Sequence, residues 1–409
     1  MDFNDTPEEA AFRAEARAWL DKNAERREPG RTYKLRRGEE GLMTLARAWE
    51  RKKFDGGFAG IAIPKEYGGR GGTRLQQIVY LQEEAHYVTP PAVFNISHGM
   101  CVPVLLAYAT EEQKKHFVPA TLSGDHLWCQ LFSEPGAGSD LAGLRTRSVK
   151  DGDEWVINGQ KIWNSGAQFA DYGILVTRSD PNVPKHKGLT YFFLDMKSPG
   201  VEVRPIKQMQ GFSNFNEVFL TDVRIPDSQR LGAVGDGWKV AITTLMNERL
   251  VSGVRPAPNF EDVFGLARDL ALEDGPAIAN AAVREKLAHW YVQSRGLELI
   301  RYRTITALSQ GRQPGPENSI SKLVGAFNRQ QMAGFGMDLM DMGGAIMDRD
   351  LALMRALFQD ALLDSPSGRI AAGTDEILRN IIGERVLGLP REARTDTDKP
   401  FNQLRENRD

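Results

Sequence analysis

Two cysteines in 409 residues, Cys101 and Cys129, are too few for a disulfide framework. That scarcity suits a reducing compartment, and a cytoplasmic protein is expected. There are six histidines, none in a His-Glu-x-x-His or comparable spacing, so no dedicated transition-metal site is expected. No stretch of about 18 consecutive apolar residues occurs, and membrane insertion is not expected. Positive charge is not in excess: 52 Lys+Arg stand against 54 Asp+Glu, a net charge of −2. A general nucleic-acid binder carries a basic surplus, so that class is disfavoured. The first residues are acidic (Asp2, Asp5, Glu8, Glu9), with no basic start leading into an apolar run, and no secretory signal is expected.

The composition is that of a globular chain long enough for two or three domains, with 41% hydrophobic and 26% charged residues. Residues 1–125 read as helical. Phe3, Ala11, Phe12, Ala16, Trp19 and Leu20 recur at three-to-four-residue steps. Leu75, Ile78, Val79 and Leu81 mark another helix, Val102 to Tyr108 a third, and Thr110 caps a fourth. The glycine-dense run Pro64 to Gly72 is a loop.

Near Trp128 the period changes to two and stays so to about Pro226, which predicts some seven strands in an antiparallel sandwich or barrel-like module. Asp151-Gly152 marks one turn. Asn158-Gly159 predicts a type I′ hairpin between Trp155–Ile157 and Gln160–Trp163. After Gly237 the helical period returns, with helices predicted over Trp238–Val251, Ala281–Ser309, Ser319–Met340 and Asp350–Leu363. A last helix begins at its cap Thr374 and runs to Gly388. From Arg391 the chain is polar and a mobile tail is expected.

The most chemically suggestive segment is Ser133-Glu134-Pro135-Gly136-Ala137-Gly138-Ser139-Asp140. It lacks the Gly-Lys-Ser/Thr of a phosphate loop. As a dinucleotide fingerprint it fails at Leu141 and has no βαβ flanks. Two readings remain: a small-residue loop that brings backbone N–H groups and the Ser133 and Ser139 hydroxyls to a planar or phosphorylated ligand, or a plain tight turn. Trp163 and Ser165 together suit a flavin ring, although a sheet Trp is as well explained by core packing. Ser319-Ile320-Ser321-Lys322 matches Ser-x-x-Lys without the companion motifs of serine enzymes and is read as chance. On a helix Ala241, Leu245, Glu248 and Ser252 share one stripe. Glu248 thus borders an apolar face, where burial would make it a stronger base, or it is a solvated carboxylate beside Arg249.

Taken together, three separated motifs resemble the acyl-CoA dehydrogenase family, over Phe3 to Pro390. They are Leu131 to Asp140, Asn158-Gly159-Gln160-Lys161-Ile162-Trp163-Asn164-Ser165, and Gly373-Thr374-Asp375-Glu376 onward to Gly388. The resemblance implies an α+β fold: an N-terminal α domain (1–125), a middle antiparallel β domain (126–234) and a C-terminal helical bundle (235–391), followed by a polar tail (392–409). It also implies an FAD enzyme that oxidises an acyl-CoA to the 2,3-enoyl-CoA and passes electrons to an electron-transferring flavoprotein. By family position, Gln130, Phe132, Ser133, Gly138, Ser139, Trp163, Ser165, Thr374 and Glu376 contact the cofactor, while Ser139, Arg249 and Ala372 approach the substrate.

The chain departs from the common family pattern in three places. Most members carry the catalytic base immediately before the Gly-Thr of the last motif, where this chain has Ala372. A minority carry it on the first helix after the β domain, before an Arg, and Glu248-Arg249 matches them. The Arg-x-x-Phe-Gly motif that reaches a neighbouring subunit's FAD is missing from Glu273–Asn280, and Met340 replaces a family Gln ahead of Gly343-Gly344. These losses imply a tetramer formed with a second, related subunit. Such heterotetramers resemble those of bacterial steroid side-chain breakdown, which suggests a bulky acyl group. The alternatives are a non-catalytic partner subunit, or an acyl-CoA oxidase or flavin monooxygenase on the same scaffold.

Overall fold

The computed structural model describes residues 5–28, 40–251, 257–310, 315–393, 396 and 398–404, with the backbone alone at 249–251 and 308–309. The chain divides into a larger compact unit, Asp5–Arg27, Arg31–Val251 and Glu392–Asp409, and a smaller one made chiefly of Ser252–Arg391.

In the larger unit, helix α1 (Pro7–Asn23) starts with Pro7 in its first turn. The hydroxyl of Thr6 accepts from Glu9 N, and the Glu9 carboxylate accepts from Thr6 N. Phe12, Ala16 and Leu20, four residues apart, are buried against Phe58, Val79 and Tyr80. Helices α2 (Leu42–Asp55), α3 (Arg74–Glu84), α4 (Val102–Tyr108) and α5 (Glu111–Leu122) follow, the last capped by Thr110 as expected. One helical turn with i→i+5 bonding, Ser97–Cys101, leads into α4.

Seven strands form one sheet: β1 (Trp128–Leu131), β2 (Arg147–Asp151), β3 (Glu154–Lys161), β4 (Tyr172–Arg178), β5 (Leu189–Asp195), β6 (Val201–Ile206) and β7 (Phe215–Pro226). Their order is β1-β4-β2-β3-β7-β6, with β5 also paired to β4. Most pairings are antiparallel, but β1 and β2 both meet β4 in parallel. Along β4 and β5 alternate side chains enter different cores. Ile174, Val176, Tyr191 and Phe193 pack with residues of α4, α5 and the next helix, α6 (Gly237–Val251). Leu175, Phe192 and Leu194 join Trp155, Ile157, Val218 and Leu220 on the other face. Each fully buried Leu or Phe contributes roughly 1.5–3 kcal/mol, so these two strands anchor the unit.

Four expectations are corrected. Asn158-Gly159 is not a hairpin turn: β3 runs straight through it, and its pairing with β7 shifts register between Ile157 and Gly159. The Asn158 amide bonds Asp222 in both directions at 2.9 Å. A Cβ on Gly159 would come within 2.4 Å of Thr146 Oγ1. A β-bulge with close backbone packing calls for the same residue pair as a tight turn.

The smaller unit is built from α7 (Phe260–Asp269), α8 (Ala281–Ser309), α9 (Ser319–Leu339), α10 (Leu357–Ile370) and α11 (Asp375–Arg385). The helix expected at Asp350–Leu363 is displaced to α10, because Met354, Arg355 and Ala356 have φ of 52°, 54° and 58°. Pro366 lies inside α10 without breaking it, and the Ser365 hydroxyl donates to the Leu362 carbonyl that the proline cannot serve. Helix α11 is capped by Thr374 but ends at Arg385, short of Gly388. The core of this unit gathers Val263, Leu266, Leu287, Trp290, Met332 and Phe358.

The tail is also not free. Phe401 N donates to Val183 O and Asn402 N to Pro181 O, both at 2.9 Å, and the Phe401 ring is buried. An aromatic ring with a dry site to fill holds down an otherwise polar segment.

Candidate active site

Strand β1 ends in the glycine loop. Ser133 O accepts from Ile162 N at 2.9 Å, which lays the loop alongside the segment leaving β3. Glu134 turns inward beneath it. Its carboxylate accepts from Arg145 N (2.6 Å) and Thr146 N (2.9 Å) and pairs with the fully buried Lys161 Nζ at 2.8 Å. Lys161 also donates to Phe132 O at 3.0 Å. Burial alone would raise the Glu134 carboxyl, but the Lys161 charge and these hydrogen bonds bring it below its ordinary value. With Glu134 tied down, Gly136, Gly138 and Ser139 face outward. A Cβ on Gly136 or Gly138 meets nothing within 4 Å.

Trp163 follows with φ 62°; the residue is 56% exposed, and its ring is edge-on to Phe215 at 6.0 Å between centroids. It is therefore not a core tryptophan. Amides hold the turn behind it. Asn164 Nδ2 donates to Gln130 O and Asn216 Nδ2 to Asn164 O, each at 2.8 Å, while Gly166 N donates to Asn214 O at 3.0 Å. The side-chain oxygens of Asn164, Asn214 and Asn216 are buried and have no hydrogen-bond partner among the described residues. Buried acceptors in that state suit ordered water or a ligand with N–H donors. Gln130, Phe132, Ser133, Gly138, Ser139, Trp163 and Ser165 thus all lie on this loop pair or the strand that feeds it. Sequence reasoning missed Lys161 with Glu134, and Asn216, because their partners are 27 and 52 residues away.

Glu248 is on α6, half-buried. Its helix is fixed by Val240 and Ala241 in the core and by Thr244, whose hydroxyl lies 3.0 Å from Tyr191 Oη. Thr244 is one turn before Glu248, so the carboxylate continues the face that leads out of the core. The Arg249 side chain and Ser252 lie outside the described residues.

The remaining expected residues belong to the smaller unit. Between α10 and α11, Ala372 and Gly373 have φ of 54° and 92°. Lys322, read from sequence as part of a chance motif, donates to Gly373 O at 2.6 Å and holds this left-handed corner. Thr374 Oγ1 accepts from Ile377 N, and Arg369 pairs with the buried Asp375 at 2.6 Å. Glu376 points to solvent. Ala372 has no group that could accept a proton.

Residues 6–125, 129–223 and 235–387 match the family models for the acyl-CoA dehydrogenase N-terminal, middle and C-terminal domains. The acyl-CoA dehydrogenase IpdE1 of Mycobacterium tuberculosis is 35% identical over 396 residues, 94% of this chain and 98% of that protein. FadE34 of the same organism is 39% identical over 327 residues, covering 79% of this chain, which spans only 44% of FadE34's length. Among solved structures, the ChsE4-ChsE5 complex from M. tuberculosis superposes with TM-score 0.80 at 29% identity, over 96% of this chain and 100% of that one. The Tcur3481-Tcur3483 steroid acyl-CoA dehydrogenase gives the same score and coverages at 30% identity. The chain belongs to the acyl-CoA dehydrogenase family of FAD-dependent oxidoreductases. Its own residues fit that cofactor: an exposed Trp163 and an outward glycine loop with open space above Gly136 and Gly138 stand on two segments joined by the Ser133–Ile162 hydrogen bond.

Proposed function

We propose that this chain dehydrogenates a bulky acyl-CoA of the steroid side-chain kind, with Glu248 as the base, beside a second, related subunit. Phe132, Ser133, Gly138 and Ser139 would line the cofactor. Trp163 and Ser165 would bear on its ring, and by the family's pattern Thr374 and Glu376 would also contact it. FAD held by these residues would supply the acceptor for the hydride from the β carbon. Glu248 takes the α proton, and Ala372 offers its backbone N–H to the thioester oxygen. In water a carboxylate is far too weak a base for an α C–H. Where water is excluded, hydrogen bonds to the developing enolate oxygen strengthen and the base gains basicity.

The reading is carried by the outward glycine loop lying beside the exposed Trp163 ring across the Ser133–Ile162 hydrogen bond, in a chain whose Ala372 offers no acid. A partner subunit is supported by the missing Arg-x-x-Phe-Gly and by Met340, and by likeness to a solved complex of two such chains. The bulky substrate is supported by likeness to a structure described as a steroid enzyme. An electron-transferring flavoprotein as acceptor and a cytoplasmic setting accord with the family and with two buried, unpaired thiols.

The test is anaerobic reduction of the co-expressed, purified complex against straight, branched and steroid acyl-CoAs. The preparation should be yellow and lose flavin absorbance fastest with the steroid thioester. A colourless protein, or a flavin that none of these substrates reduces, sinks the proposal. Reoxidation by oxygen as fast as by an artificial acceptor would favour the oxidase, and one tightly bound FAD per isolated chain would reject the heteromer.

A further inference from the structure

The carboxy-terminal segment lies past residue 387, where the match to the family's C-terminal model ends. Its described residues still make a connected set of contacts on the larger unit. Pro400 bridges Pro184, and Phe401 N and Asn402 N donate to Val183 O and Pro181 O. Asn402 Nδ2 donates to Asn182 Oδ1 at 2.9 Å. The Phe401 ring lies under the Arg178 guanidinium, 3.6 Å from Cζ to centroid, with Arg145 Cζ at 5.4 Å. Asp396 reaches Lys185 Nζ at 2.5 Å.

Both residues held by this segment lead to the glycine loop. Lys185 Nζ donates to the two oxygens of Asp140 at 2.8 Å each. Arg178 donates to Ala142 O (2.6 Å), Leu144 O (3.2 Å) and Lys185 O (2.8 Å). Lys185 and Arg178 are buried, and a buried cation must keep its anions and carbonyls in place. Asp140 is mostly exposed, 62% of its side chain, so alone it is a weak anchor; Asp396 provides Lys185 with a second anion. Phe401 covers the guanidinium face and keeps water from the bonds to Ala142 and Leu144. The tail therefore acts on both ends of the stretch from Asp140 to Leu144, which begins next to Ser139.

We propose that Asp396 and residues 398–404 form a strap that positions the Ser139–Leu144 end of the glycine loop for cofactor binding, with Asp396 and Phe401 as positioning residues acting through Lys185 and Arg178. This rests on the assignment of Gly138 and Ser139 to the cofactor surface. Neither strap residue touches the reacting groups, so the strap governs how tightly the site holds its ligands and leaves the chemical step alone.

The experiment uses the full-length chain with Phe401→Ala, Asp396→Asn, their double variant and Phe401→Tyr. Amide exchange at residues 139–144 in the flavin-free protein, the FAD dissociation constant and the KM and kcat for an acyl-CoA are measured beside the melting temperature. Expected are faster exchange at 139–144, FAD affinity weakened about tenfold in the double variant (the factor of 1.4 kcal/mol) and a raised KM. With FAD saturating, kcat should hold, and Phe401→Tyr should behave as the parent. Unchanged exchange and unchanged FAD affinity in the double variant overturn the strap, as does a lower melting temperature with both unchanged. Should Phe401→Ala fail to fold, Asp396→Asn decides alone by the same readouts. Failure of the parent chain to bind FAD would instead defeat the functional reading, while the exchange measurement, which needs no flavin, still judges the strap.

Discussion

Lys161 Nζ lies 2.8 Å from Glu134 Oε1, with both side chains sealed beneath the glycine loop. Their pairing links the two motifs assigned to the cofactor in the proposed function: Glu134 belongs to the loop, and Lys161 ends the strand that leads to Trp163. An ion pair so buried does little for net stability compared with apolar packing, but it fixes one arrangement of the loop, and removing one member strands the other.

Lys161→Met should therefore cost about 3–5 kcal/mol, the range for an uncompensated buried charge, and Glu134→Gln with Lys161→Met should recover a good part of it. The pH dependence follows from the carboxyl being held below its ordinary 4.5. Its contribution is complete above 4.5 and drains away as pH falls through the lower folded value. Melting curves across the acid range should show a shallower acid limb in the double variant. A parent and a double variant with the same acid limb would show that this pair does not titrate with unfolding.

Glu248→Gln should keep the shape of α6, because the helix is anchored in the core by Thr244, Ala241 and Val240. Flavin binding should match the parent, and acyl-CoA reduction should slow by about 10²–10⁴, the loss typical of a missing general base. Stopped-flow reduction checks this. Parental rates would remove Glu248 from the mechanism.

Local signals carried most of the secondary structure. Thr110 and Thr374 announce their helices because a cap and its partner are three residues apart. Period-two burial along the first half of β7 is likewise a property of neighbours. What failed depends on distance or on backbone exceptions. Asn158-Gly159 reads as a turn until Thr146, pressed against Gly159, shows why the glycine is there. The start of α10 is set by three positive φ values at Met354, Arg355 and Ala356, residue types that give no such warning. Helix α2 starts at Gly41 without any side-chain cap to read. The chemistry of the glycine loop was visible as composition. The pair that locks it from below, and the Asn216 amide behind Trp163, are contacts that only the fold makes.

Both thiols should be silent in the native protein. Cys101 and Cys129 are wholly buried, and burial pushes the Cys129 thiol up to about 12 and Cys101 well above its ordinary 9.0. The thiolate is the reactive form, so neither access nor ionisation favours attack. Titration with DTNB at neutral pH should find no fast-reacting thiol until denaturant is added, and two afterwards. A fast native equivalent would mean that the core around β1 opens readily.

Two glycines separate stability from binding. Gly159 is needed by the fold: a Cβ there would lie 2.4 Å from Thr146 Oγ1 and 2.7 Å from Thr146 Cα, and backbone cannot step aside cheaply. Gly159→Ala should cost about 1–3 kcal/mol, as overpacking does, and lower the melting temperature of the flavin-free protein. Gly138 faces open space, with nothing within 4 Å of the point where a Cβ would sit. Gly138→Val should leave the flavin-free protein as stable as the parent, because φ there is not in the left-handed region. If cofactor occupies that space, the added branches meet it directly and FAD affinity falls. Paired measurements of melting temperature and FAD dissociation constant distinguish the two positions, and a Gly138→Val chain that binds FAD like the parent would place the cofactor elsewhere.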